Sequence, residues 1–129
     1  MGITRLFVLL AALLSGCAVN QGAQQAAADA NAPVLCYNAD HCSRTWQAAQ
    51  VWVAKNSAYK MRVVTDSIIQ TEGPIGYDPG LAFQVTKEPA REGAYEIAVA
   101  ASCANLFGCQ PGRYVGIAVL KNYLRTINP

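Results

Sequence analysis

An α+β fold is what residues 34–129 of this chain predict: a two-layer sandwich in the order helix, three-stranded antiparallel sheet, helix. Three observations carry the prediction. Apolar residues recur at helical spacing around Trp46 and again after Pro111. Between these stretches the apolar period falls to two, as in a sheet covered on one side. Two helices with one apolar stripe each and a sheet with one apolar face satisfy one another when stacked in two layers.

The first folded helix begins near Asp40, a residue type that caps helices, and runs through Ala54 with Trp46, Ala49 and Val53 at i, i+3, i+7 and Trp52 beside them. Such aromatics can also stack on sugars, but helical spacing marks them as core. Asn56-Ser57 supplies the stop. Tyr59, Met61 and Val63 then alternate with Lys60 and Arg62, followed by Ile68 and Ile69 and the break at Gly73-Pro74. This is read as one long strand with a bulge near Asp66-Ser67, a hairpin there being the alternative. Asp78-Pro79-Gly80 is a turn. Leu81, Phe83 and Val85 define the inner face of the second strand, and after the Glu92-Gly93 turn Tyr95, Ile97, Val99 and Ala101 define that of the third. Pro111 opens the last helix, whose stripe is Tyr114, Ile117, Leu120, Leu124 and Ile127. Gly116 lets its backbone approach the sheet, and Lys121 and Arg125 sit toward the negative end of its dipole.

Ahead of this domain stand two further segments. Residues 1–16 hold one cation, Arg5, an apolar run from Leu6 to Leu14 and small residues at the end, the make-up of a secretory signal peptide. The run is too short for a spanning helix, which needs about 20 apolar residues. Residues 17–33 are rich in Ala, Gln and Asn. They read as a flexible tether whose ends average roughly 20 Å apart.

Leu14-Ser15-Gly16-Cys17 resembles a bacterial lipobox, and the segment resembles that of a bacterial outer-membrane lipoprotein precursor. The resemblance implies that Cys17 is acylated and becomes the amino terminus. It also implies outer-membrane sorting, since Ala18 stands where an aspartate would retain such a protein at the inner membrane. The membrane is then a partner through the acyl chains, the domain faces the periplasm, and the folded part resembles small cysteine-containing lipoproteins of unknown role.

Charge narrows the partners. Loss of Arg5 with the signal lowers the net charge from +2 to +1, and no Lys/Arg cluster occurs, so nucleic acid is not expected. Cysteines other than Cys17 number four, and an even count in an exported chain reads as a disulfide framework. Cys36 and Cys42 enclose five residues, as do Cys103 and Cys109. Crossed bridges would stabilise by roughly 4 kcal/mol each against roughly 2 for short loops. The equal spacing nevertheless favours the local pairing.

Catalytic patterns are weak. His41, the one histidine, is expected as a surface or capping residue in the first cysteine loop, and no metal or cofactor is expected. The serines lack a nucleophile-elbow context. Asp66 and Glu72 fit a bulge and a strand end better than a carboxylate pair. The stretch Gly73 to Gly80 lacks the Lys and Ser or Thr of a phosphate loop and is read as a long connection with Ile75 and Tyr77 as exposed anchors. Lys60, Arg62, Gln84, Thr86, Glu96 and Ala98 form the outward sheet face, a second candidate contact surface. The functional expectation is a non-catalytic envelope module that binds a protein or glycan or serves structure. An inhibitor or immunity-type protein against a cell-wall-directed enzyme is the second reading and a small hydrolase the third.

Overall fold

A computed structural model describes residues 18–129. The leader, with Leu14, Ser15, Gly16 and Cys17, lies outside the described residues. The elements are α1 (Ala18–Asn31), β1 (Leu35–Cys36), α2 (Ala39–Asn56), β2 (Met61–Val64), β3 (Ile68–Thr71), β4 (Ala82–Pro89), β5 (Tyr95–Ser102) and α3 (Arg113–Arg125). The class is α+β, as expected. The sheet has five antiparallel strands rather than three, in the order β1-β5-β4-β3-β2.

Two departures account for the extra strands. The stretch read as one long strand is a hairpin, because Thr65 Oγ1 accepts from the backbone N–H of Ser67 and Ile68 and closes a turn. The register irregularity falls between Met61 and Val63 instead of at Asp66-Ser67. Leu35–Cys36 adds a short edge strand on Tyr95 and Glu96. Two residues are too few for a period to show in sequence.

The core forms where the alternation placed it except at Tyr95, read as an inner-face residue, which is exposed at the start of β5. Ile69, Phe83, Val85 and Ile97 from the sheet meet Trp46, Ala49 and Val53 of α2 and Ile117, Leu120 and Leu124 of α3 in one buried cluster. Gly116 is where α3 comes closest: a Cβ built there would lie 2.3 Å from Leu81 Cδ1. Tyr114, assigned to the α3 stripe, is 46% exposed, and Ala118 and Lys121 are buried in its place. Helix starts also shift. Asn38 caps α2 by accepting from the His41 N–H, while Asp40 lies in the first turn and pairs with Arg44 at 3.0 Å. Helix α3 begins at Arg113, so Pro111 precedes it.

The segment expected as a flexible tether is largely helix α1, packed on α3. Its own sequence offers only a small-residue face, with Ala30 buried and Ala26 partly so. What holds it comes from α3. Lys121 Nζ donates to the carbonyl oxygens of Ala30 (2.8 Å) and Ala32 (3.0 Å). The Arg125 guanidinium donates to those of Asp29 (3.1 Å) and Ala32 (2.6 Å). Asp29 and Ala30 are among the carbonyls that the end of α1 leaves unpaired and Ala32 follows directly, at the negative pole of the dipole, where a cation in partly buried geometry contributes up to about 2 kcal/mol. Lys121 and Arg125 thus serve the dipole of α1. Asn122 bonds Asp29 and Arg125 bonds Pro33, which brings the two helix ends together; since the helices also pack side by side, α1 and α3 run in the same direction.

That direction gives the molecule two ends. One gathers the start of α2, the β4–β5 turn and the ends of α1 and α3. The other gathers the end of α2, the loop of residues 72–81, the Cys103–Cys109 loop and the start of α3.

Candidate functional site

Both disulfides are local, Cys36 to Cys42 and Cys103 to Cys109. The first ties β1 to the opening turn of α2 and is buried. The second closes the connection between β5 and α3, the loop that carries the exposed Leu106 and Phe107.

Inside that loop, Asn105 Oδ1 accepts from the Phe107 N–H at 2.8 Å, a side-chain turn that the positive φ of Gly108 (113°) completes. The turn throws Leu106 and Phe107 outward. They are 84% and 100% exposed. Asn105 Nδ2 also donates to the Tyr77 carbonyl at 2.7 Å, Ala104 N to Asp78 O and Gln110 N to Pro79 O. These three bonds fasten the cysteine loop to the loop of residues 72–81. Asp78 Oδ1 accepts from Gly80 N at 2.7 Å and sharpens the bend there. Gly80 is kept free of a side chain, since a Cβ would lie 2.4 Å from that of Ala58.

Ile75 and Tyr77, named from sequence as exposed anchors, are 72% and 77% exposed on the second loop. The result is one tip of two cross-bonded loops displaying four large apolar or aromatic side chains. Scattered apolar residues on a surface need no account, but a clustered set this exposed marks a contact surface. Sequence reasoning missed Leu106 and Phe107. Their signal was there: two bulky apolar residues between Asn and Gly, inside a cysteine pair too short to let them turn inward.

The other sequence candidates do not join the tip. Arg62 reaches Gln70 at 3.5 Å, and Gln70 stands opposite Gln84 on the outer face of the sheet. Glu96 pairs with Glu88, four positions along β4 from Gln84, about 13 Å away. Lys60 precedes β2, its carbonyl accepting from Glu72 N. These four therefore spread over the sheet rather than converge. A concavity of 280 Å³ sits where Gln70 and Gln84 meet Ala100 and Ser102. A more apolar one, 340 Å³, opens between α2 and α3 over Gly116, lined by Trp52, Phe83, Val115 and Val119.

His41 is buried rather than superficial. Its Nδ1 accepts from the Tyr37 N–H at 3.2 Å, which leaves Nε2 to carry the proton and donate to the Ile127 carbonyl at 2.9 Å. Both ring nitrogens are committed to backbone. Asp66 and Glu72 flank β3 at its opposite ends and face no shared space. Among the described residues, no three His, Cys, Asp or Glu side chains gather as a metal site requires. Among the described residues, acidity is shifted at the α1 dock. Hydrogen bonds from Asn122 and then Gln25, with the charge of Arg125, hold the Asp29 carboxyl below its ordinary range. Burial, followed by the like charge of Arg125, lowers the Lys121 ammonium.

Compared with protein-family models, with curated proteins and with solved structures, the chain has no match.

Proposed function

We propose that the protein is a lipid-anchored module of the bacterial outer membrane, facing the periplasm, and that it works by contact rather than by catalysis. The anchor reading rests on Leu14-Ser15-Gly16-Cys17, the lipobox-like sequence that immediately precedes α1. The contact reading is carried by one observation: the disulfide-braced tip on which Leu106 and Phe107 stand almost wholly in solvent. Leaving such side chains exposed has a cost in solubility, and covering one contributes about 1.5–3 kcal/mol. The engagement of both His41 nitrogens with backbone removes the chain's one histidine from acid–base work and supports the non-catalytic reading.

Cys17→Ser tests the anchor. Two or more acyl chains hold a protein to a membrane, at about 0.8 kcal/mol per buried methylene. The variant is expected to lose labelled-palmitate uptake and membrane recovery and to remain uncleaved or soluble. A variant with the parent's mass and membrane recovery would refute the lipoprotein reading.

A further inference from the structure

We infer that the tip carrying Ile75, Tyr77, Leu106 and Phe107 dips into the lipid surface that holds the protein's own acyl chains, so that the domain sits on its membrane loop-end down. This rests on the proposed lipidation of Cys17.

Orientation carries the inference. Cys17 immediately precedes the first residue of α1. Helix α1 is docked at its far end by Lys121 and Arg125 at the end of α3, and because the two helices pack side by side it runs parallel to α3. Its start therefore points to the end of the molecule where α3 starts. The tip lies there too, because the Cys103–Cys109 loop leads into α3 through Gln110 and Gly112. A free coil of this length would let the domain turn in any direction, but a docked helix does not. Acyl chains entering a bilayer at the start of α1 bring the tip to that same surface.

The chemistry of the tip fits a lipid interface. Gly73 to Tyr77 and Ala104 to Gln110 contain no charged residue. The exposed side chains are aliphatic or aromatic, and tyrosine is enriched at the depth of lipid headgroups. Backbone polar groups entering that region need partners within the protein. The turn provides several: Phe107 N–H bonds Asn105 Oδ1, Gly108 N–H bonds the Asn105 carbonyl, and the Tyr77 carbonyl takes Asn105 Nδ2. The wedge is rigid before it meets lipid, so little ordering is required on insertion.

The test uses the full-length protein, processed in cells, with Phe107→Trp as a depth probe, each probe being read as the difference from the parent, whose Trp46 and Trp52 also emit. Tyr37→Trp at the opposite end, where Tyr37 is 58% exposed, serves as control. Each protein is first weighed for acylation and then reconstituted into phosphatidylethanolamine–phosphatidylglycerol vesicles, with and without brominated acyl chains. The Phe107→Trp emission is expected to shift to the blue and to be quenched by bromolipid at least about twofold more than that of Tyr37→Trp, as befits a group held roughly 5–10 Å into the interface. Acylated protein in which the two probes behave alike would overturn the insertion of the tip and leave it to a protein partner. Protein lacking acyl mass would overturn the anchor and the insertion with it, and the weighing tells the two failures apart.

Discussion

Lys121 donates a 2.8 Å hydrogen bond to the Ala30 carbonyl, joining α3 to the last turn of α1 across 91 positions of sequence. The ammonium is buried, and burial lowers its pKa, so the contact trades desolvation against pairing with two carbonyls. Removing it is more costly than never having had it, because the Ala30 carbonyl is then left without its partner.

Lys121→Met is accordingly expected to destabilise the protein by about 1–3 kcal/mol. The loss should appear first as faster amide exchange in residues 22–31, before the sheet is affected. Exchange rates in α1 equal to those of the parent would show that the alanine face alone docks the helix.

Asp29 makes the same dock sensitive to acid. Its folded pKa is lowered by the bonds from Asn122 and Gln25, so the stabilisation is whole above the unfolded value, about 3.9, and is lost as pH falls through the lower folded value. Amide protection in α1 should decline below about pH 4 in the parent. Asp29→Asn should abolish that decline.

His41→Leu keeps the apolar bulk but strands the Tyr37 N–H and the Ile127 carbonyl. A cost of about 1–3 kcal/mol is expected, with the start of α2 and the residues after α3 loosened together. A melt unchanged from the parent would show that water takes over both bonds.

On α3, Leu120 is fully buried whereas Tyr114 is 46% exposed, although both fell on the stripe read from sequence. Leu120→Ala should cost about 2–5 kcal/mol through lost transfer energy and a cavity. Tyr114→Ala should stay within about 0.5 kcal/mol. Equal losses in the two melts would contradict the packing described.

What could be read from sequence alone were the properties that neighbours along the chain decide. Periodicity in Trp46, Ala49 and Val53, in Phe83 and Val85, and in Ile117, Leu120 and Leu124 reflects which face each element must bury, and those faces met in one core. Equal spacing of the cysteines indicated local bridges because short loops close readily, and the glycines and prolines of the 72–81 loop marked Ile75 and Tyr77 as exposed. What tertiary structure decided were the interactions between distant segments. Helix α1 has no stripe of its own, and its dock is written in Lys121 and Arg125, which in sequence read as cations at the end of α3's own dipole. The tip exists because Asn105 reaches the Tyr77 carbonyl across 28 positions, so that the loop of Ile75 and Tyr77 and the cysteine loop of Leu106 and Phe107 present one apolar surface. Side-chain-to-backbone bonds of this kind leave no period in the sequence, since the accepting carbonyl is the same on every residue.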